Sequence, residues 1–322
     1  MSQPLEQSDS HHPSRHPSRR RALGLVAIAY VLAIAAGWIT ILLAPLDDPI
    51  ARTLAADVVA TLVIYGFSMV YDNSSFYDAY WSVIPIAIAA YWISLAEPAV
   101  PALRTAAVFF VIFVWGWRLT YSWARGWSGL DHEDWRYVDF RERSPRFYWL
   151  ISLAAIHFFP TFIVFAGMLA VWPALVTSGR PVGWVDGVAL IVGVVGIALE
   201  WLADRQLHAF VTGPKKPGET LREGLWRYSR HPNYLGEIML WWSLWLFGLA
   251  ADPAWARWAV LAPLAMTAMF LFVSIPLIER RALERRSGYQ EVIDETSMLI
   301  PLPPRERAPR DSRPSAGESR SD

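Results

Sequence analysis

Eight apolar blocks, each long or nearly long enough to cross a bilayer, recur along this chain between short polar connections. They run about Ala22–Ala44, Leu54–Tyr71, Tyr80–Leu95, Ala102–Trp123, Trp149–Trp172, Trp184–Leu202, Tyr234–Ala250 and Trp255–Ile278. A backbone in hydrocarbon must satisfy its own N–H and C=O groups, and continuous apolar runs approaching roughly 20 residues do so as helices. The third and seventh blocks are the short ones. The expected fold is all-α, a polytopic membrane helix bundle of about eight transmembrane helices. With 54% hydrophobic and only 18% charged residues, the chain is too apolar for an ordinary soluble domain. Its eighteen Trp, with the Tyr, crowd the block ends as an interfacial belt requires.

The arginines set an orientation. Arg15 to Arg21 precede the first block. Arg125, Arg136, Arg141, Arg143 and Arg146 lie between the fourth and fifth, and Lys215, Lys216, Arg222, Arg227 and Arg230 between the sixth and seventh. Arg280, Arg281, Arg285 and Arg286 follow the eighth, whereas the opposite side carries only Arg52, Arg104, Arg180 and Arg257. Under the positive-inside rule both termini are expected in the cytoplasm. The formal net charge is zero, so bulk charge gives no ground for a nucleic-acid partner.

Residues 1–21 are polar and basic and read as a disordered tail, as does the Pro, Arg and Ser rich stretch 301–322. Residues 22–300 form the integral membrane domain. Ala33-Ile34-Ala35 could mimic a signal cleavage site, but the apolar run continues to Ala44, too long for a signal peptide, so an uncleaved first span is expected. The absence of Cys excludes disulfides, thiolate catalysis and thiolate-held metals. No internal repeat, Gly-rich phosphate loop or metal-type His/carboxylate spacing is present, so no metal site is expected.

The stretch with most chemical content is Gly224 to Glu237, GLWRYSRHPNYLGE. Pro232 suits a first helical position, because its missing N–H would be unbonded there, and His231 becomes the cap. A helix start beside Arg227, Arg230 and His231 offers free N–H groups and a positive dipole end to an anion, phosphate above all. Lys215, Lys216 and Arg222 add charge in the same loop, though topology alone accounts for such a loop. This pattern reads as the cofactor grip of a membrane enzyme.

Other polar groups sit at helix ends. Glu200 and Asp204 share one helix face, as do Asn233 and Glu237; each pair either serves a ligand or packs helices and meets water. Arg118 lies deeper than the loop arginines, and its alternative is to snorkel to the interface. The loop Asp72 to Asp78, DNSSFYD, has turn chemistry in its first half, but Asp78 and Tyr80 lead into the third helix. After the last span, Glu279 and Tyr289 lie on a charged helical continuation that stops at Gly288. It is either solvated or folded back over the cofactor site. His157 reads as a helix-packing histidine.

GLWRYSRHPNYLGE, a tryptophan-rich span after it, and E-x-x-x-D and KPGE before it resemble the C-terminal domain of steroid 5-alpha-reductase-like membrane proteins, particularly a little-characterised bacterial branch. The resemblance is strongest over about 200–301, and weaker around Arg118, GLDHEDWRYVDFR and DAYWSVIP. It implies NADPH bound in the cytoplasm-facing part of an inner-membrane protein, and reduction of a carbon–carbon double bond conjugated to a carbonyl in a lipophilic, steroid-like or other lipid substrate. It also implies a cofactor-binding part at about 200–300. Glu200 and Asp204 would contact the adenosine half. Lys215, Arg222, Arg227, Arg230 and Asn233 would lie at the phosphates and nicotinamide, with Arg118 a cofactor arginine. Asp78 resembles a membrane-embedded acid that polarises the substrate carbonyl together with a tyrosine. That tyrosine is Trp115 here, and Tyr80 or Tyr121 is the substitute expected.

Two alternatives stand beside this. One is an S-adenosylmethionine-dependent methyltransferase resembling the isoprenylcysteine carboxyl methyltransferases, which share an RHP-x-Y-x-G-like element and a C-terminal Glu and Tyr. The concentrated basic residues match about four negative charges on NADPH better than a cationic sulfonium. The other is a non-catalytic protein that binds membrane lipid. Oligomeric state is not readable from the sequence.

Overall fold

The computed structural model describes residues 17–214, 216 and 218–305. Among these, no strand occurs, and the protein is all-α and polytopic. The helices are α1 (Arg19–Leu43), α2 (Pro49–Val70), α3 (Tyr80–Ser94), α4 (Ala102–Gly126), the short α5 (Trp135–Arg143), α6 (Pro145–Leu169), α7 (Trp184–Thr212), α8 (Pro232–Ala251), α9 (Pro253–Arg285) and the short α10 (Tyr289–Glu295). Seven are long and apolar enough to cross a membrane. The third apolar block is helical too but has only 15 residues, so it is the one block below that length.

Helix starts follow local chemistry. Asp48 caps α2 by accepting from the Ala51 N–H at 2.7 Å, with Pro49 behind it. Asp252 does the same for α9 through Ala254 and Trp255, ahead of Pro253. As the motif predicts, α8 begins at Pro232, and the His231 carbonyl accepts the first helical bond from Leu235. Two spans widen into π turns, at Ser152–Phe158 in α6 and Phe270–Ser274 in α9. Each runs into a proline, Pro160 or Pro276. A proline cannot donate to the carbonyl four residues back and its ring crowds that carbonyl, so the preceding turn opens.

The described residues fall into two compact units. The first comprises the residues up to Ile191 together with Trp241–Ala265; the second comprises Val192–Leu240 and Met266 onward. In the first, α1 lies along α2 and α3 along α4, with Gly116 pressed so closely on the Ser82 carbonyl and Ile86 that no Cβ fits. Its aromatic core includes Trp81, Trp115 and Trp241 in edge contacts of 5.8 and 5.5 Å. A buried Arg104 is engaged at every side-chain nitrogen: Nε and Nη2 meet Asp186 at 2.7 and 2.9 Å, and Nη1 and Nη2 donate to the carbonyls of Arg180 and Pro181.

In the second unit, α7 and α8 meet backbone to backbone at Gly196 and Gly236. A Cβ on Gly236 would stand 2.5 Å from the Gly196 oxygen and 2.8 Å from the Glu200 nitrogen. The chain beyond α10 folds back on the motif. Arg230 and His231 N–H groups donate to the carbonyls of Ser297 and Met298, and Leu302 N–H to that of Tyr228.

Two boundaries differ from expectation. Arg19 to Arg21, expected in the N-terminal tail, form the first turn of α1, because Arg19 donates to the carbonyls of Trp127, Ala124 and Arg125. Residues 301–305, expected in the C-terminal tail, are tied down through Leu302 and through Arg305 N–H on Glu295. Residues 1–16 and 306–322 lie outside the described residues.

The glycine contact gives a direct test. Gly236→Ala should lower stability by about 1–3 kcal/mol, because rigid backbone on α7 cannot yield. Gly187→Ala, where nothing lies within 4 Å of the added carbon, should match or slightly exceed wild type in the same detergent unfolding series.

Candidate functional site

The first unit holds an apolar cavity of about 370 Å³ between α1, α2 and α3. Ile34, Trp38, Ala60, Ile84 and Ile88 supply greasy walls, and Trp38 meets Tyr91 edge-on at 6.0 Å on the exposed side. One charged residue lines it, Asp57 of α2, which is 3% exposed. Its Oδ1 accepts from the Tyr80 hydroxyl at 3.3 Å. Its Oδ2 is buried and has no hydrogen-bond partner among the described residues. A carboxyl group fixed on one side and unengaged on the other, in a greasy hollow, is suited to a single polar group on an otherwise apolar ligand.

Asp78 stands elsewhere in the same unit and does not line this cavity. Its Oδ1 accepts from the Tyr137 hydroxyl at 2.7 Å and its Oδ2 from the Trp123 indole at 3.4 Å. Burial pushes the Asp78 carboxyl up to about 6, against the lowering hydrogen bond from Tyr137. Burial likewise holds the Tyr137 phenol well above its usual range, with the Asp78 charge adding to it. Tyr137 is therefore the hydroxyl beside Asp78. Tyr80 is not: it belongs to Asp57. Tyr121 is not either, being 53% exposed and stacked on Trp117 at 5.5 Å. Arg118 is 5% exposed on α4, a buried group rather than one snorkelling to the surface.

Every other candidate belongs to the second unit. Asn233 Nδ2 donates to Asp204 Oδ1 at 3.2 Å, while Glu200 and Glu237 are buried on α7 and α8. Gly224, at φ +57, packs against the Gln206 side chain, whose oxygen accepts from Leu225 N–H at 2.9 Å. Glu279 takes both Arg230, at 2.6 Å, and His231, at 2.9 Å. Arg230 Nη1 is spent on the carbonyls of Ile293, at 3.0 Å, and Thr296, at 2.5 Å. Burial beside Glu279 pushes the Tyr289 phenol up to about 12.

Arg222 pairs with Glu295 at 2.9 Å and Glu291 at 3.5 Å. Arg227 and Lys216 are exposed and make no ion pair among the described residues, and Lys215 lies outside them. The expected cluster of free cations is thus partly neutralised by carboxylates from α9 and α10. Beside the 214–223 loop a polar hollow of about 550 Å³ is lined by Thr220, Arg222, Glu223 and Gly288.

Asp57 is the residue that sequence reasoning missed. The signal was a lone aspartate inside a long apolar run, AADVVATLVIYG, and an acid within a span marks function more often than not.

The model of the family described as "Protein of unknown function (DUF1295)" matches residues 64–296. The match covers more than half of the chain, which belongs to this family. The chain is also 26% identical over 276 residues to the uncharacterized protein C594.04c of Schizosaccharomyces pombe, covering 79% of this chain and 80% of that one. No solved structure matches.

The pH dependence of Asp78 is testable without a ligand. Its carboxyl holds its proton more tightly folded, at about 6, than at the ordinary 3.8, so protonation favours the folded state. The contribution is full below the ordinary value and is lost as pH rises through 6. Asp78→Asn, which cannot ionise, should gain melting temperature relative to wild type across that window and hold a constant difference above it. A difference that does not vary with pH removes Asp78 as the titrating group.

Proposed function

We propose that this DUF1295 protein is a membrane-embedded, NADPH-dependent reductase of a conjugated carbon–carbon double bond in a lipophilic substrate. The observation that carries the reading is Asp57: one acid, with one unengaged oxygen, on the wall of an apolar cavity inside the helices. An enone lipid has the complementary shape, an apolar body with a single carbonyl. In its acid form Asp57 donates from Oδ2 to that carbonyl, while Tyr80 holds Oδ1 and so fixes the direction in which Oδ2 points. Hydrogen bonding to the carbonyl stabilises the negative charge that develops on oxygen as the double bond is reduced. The apolar cavity walls take the lipid body.

NADPH, when bound, supplies the hydride. The described residues fit its phosphates in part. Arg227 and Lys216 remain open to phosphate, and Arg222 is 39% exposed at the edge of the polar hollow. Asp204 and Asn233 offer polar groups for the remainder.

The ion pairs on Arg222, Arg230 and His231 favour a second reading, an S-adenosylmethionine-dependent methyltransferase, because that cofactor has no phosphate to neutralise.

A thermal-shift comparison in detergent separates the two. NADPH at about a hundred times its dissociation constant should stabilise the protein by about 2.7 kcal/mol, with a smaller or absent shift for S-adenosylmethionine; the reverse order selects the methyltransferase. With a panel of lipophilic enones, Asp57→Asn should keep the NADPH shift and lose turnover by about a hundredfold or more. Asp78→Asn is the comparison. Lost turnover in Asp78→Asn with full turnover in Asp57→Asn would return the acid role to Asp78.

A further inference from the structure

After α10 the chain returns to the edge of the membrane-spanning helices. Arg230 and His231 N–H groups donate to the carbonyls of Ser297 and Met298, the Ser229 hydroxyl donates to the Leu299 carbonyl at 2.8 Å, and Leu302 N–H donates to the Tyr228 carbonyl. Residues 228–231 directly precede α8, a membrane-spanning helix that begins at Pro232. The segment 296–305 is therefore strapped across the head of a span, at its arginine-rich end.

The strap is fixed through its backbone, and its apolar side chains are left outward. Met298, Ile300 and Leu302 are 37%, 63% and 52% exposed. Facing water, three such side chains within five residues are unfavourable. Pro301, Pro303 and Pro304 have no N–H, so the strap carries fewer donors that would go unmet beside an apolar phase. Tyr228, 41% exposed, adds a ring with a polar tip, the kind that gathers where membrane meets water.

The end of α9 stands at the same level. Glu279 binds Arg230 and His231, and Arg230 also donates to the Thr296 carbonyl, so one side chain joins the last turns of α9 to the start of the strap. Residues 280–286 carry four arginines against one acid, Glu284. Arg280 and Arg285 are exposed, and the exposed Leu283 lies one turn beyond Arg280 on the same helix face. Arg305 is exposed at the far end of the strap, where its N–H is tied to the Glu295 carbonyl. The acids of α10 are turned to other partners: Glu291 and Glu295 pair with Arg222, and Asp294 accepts from Gln290. Topology alone accounts for arginines at this end of the spans. It does not account for exposed apolar side chains set among them, and that combination is the composition of a segment lying in a membrane surface.

We propose that the strap and the end of α9 form an interfacial anchor for anionic phospholipid, in the arginine-rich half of the bilayer that the protein spans. Met298, Ile300 and Leu302 enter the boundary between headgroups and acyl chains, and Arg280, Arg285 and Arg305 meet the headgroup phosphates. Because strap carbonyls receive the Arg230 and His231 N–H groups, the lipid surface holds down the segment that fixes the start of α8. This goes beyond the reductase reading and does not rest on it.

The chain has no Cys, so Ile300→Cys gives a single labelling position for an environment-sensitive fluorophore on the full-length protein. The labelled protein is placed in nanodiscs of phosphatidylcholine alone or mixed with phosphatidylglycerol. Emission should be blue-shifted from that of the same fluorophore on N-acetylcysteine in water, and a nitroxide on the lipid headgroup should quench it more than one deep on the acyl chain. Phosphatidylglycerol should raise the headgroup quenching by about twofold or more. Salt at about 1 M should remove that increment, as should Arg280→Gln with Arg285→Gln. Leu302→Cys is the second position should the first variant fail to fold, since the Leu302 bond to Tyr228 is made by backbone. Water-like emission in the anionic nanodiscs overturns the anchor, and so does a blue shift that no lipid nitroxide quenches, which would place the strap against protein. Quenching that is equal with and without phosphatidylglycerol overturns the anionic specificity and with it the role of the arginines.

Discussion

A polar group left unpaired in hydrocarbon costs several kcal/mol, and the first unit is built around avoiding that cost. Arg104 illustrates the usual solution. Each of its three side-chain nitrogens is met, by one carboxylate and two backbone carbonyls, so a full charge is buried at 1% exposure with a partner on every nitrogen. The turn between α2 and α3 solves the same problem with an amide and a carboxylate. Asn73 donates to the carbonyls of Leu130 and His132, and Glu133 accepts from the Ser74 N–H, sewing that turn to the loop before α5. Against this background an oxygen such as Asp57 Oδ2, buried beside a cavity with no partner among the described residues, is informative because the surrounding fold shows what satisfaction looks like.

The second unit is governed by carboxylates rather than by hydroxyls. Glu279 on α9 binds Arg230 and His231 together, and Glu291 and Glu295 on α10 bind Arg222. The residues around GLWRYSRHPNYLGE are thereby fixed by the chain that follows the last span, and the segment after α10 adds backbone bonds to Tyr228, Arg230 and His231. Such pairs hold arginine side chains in place, and removing one partner would leave a part-buried charge uncompensated. The motif thus has a structural task, and the cations open to an anion are fewer than its composition suggests.

The length and continuity of the apolar runs made the helices legible, since an apolar run in a membrane protein has few alternatives. Pro232 marked a start correctly because proline fits a first turn for a local reason, whereas the second and eighth apolar blocks, expected from Leu54 and Trp255, begin earlier, at Pro49 and Pro253. What could not be read was pairing across distance. Tyr80 and Asp78 are two residues apart in sequence, yet Tyr80 bonds Asp57 and Asp78 bonds Tyr137, 59 positions away. Trp115, where the resemblance would place a tyrosine, is 1% exposed and packed edge-on between Trp81 and Trp241, which is a packing role that sequence spacing does not disclose. Charge neutralisation of Arg230 by Glu279 was hidden for the same reason.

The two aspartate–tyrosine pairs of the first unit differ in what each can still do. Both oxygens of Asp78 are engaged, by Tyr137 and by Trp123, so a ligand there would have to displace a hydrogen bond to a charged or acidic group, at a cost of about 1.5–3 kcal/mol. That arrangement suits a tie holding α5 to the head of α3. Asp57 has only one oxygen engaged, by a bond of 3.3 Å against 2.7 Å for the tyrosine on Asp78, and its other oxygen would gain rather than exchange a partner when a ligand enters. The same desolvated surroundings that make an unmet oxygen costly make a newly formed hydrogen bond worth more there than at the loop. Ligand recognition is therefore favoured at Asp57, and a tethering role at Asp78, although both carry the same chemical pair.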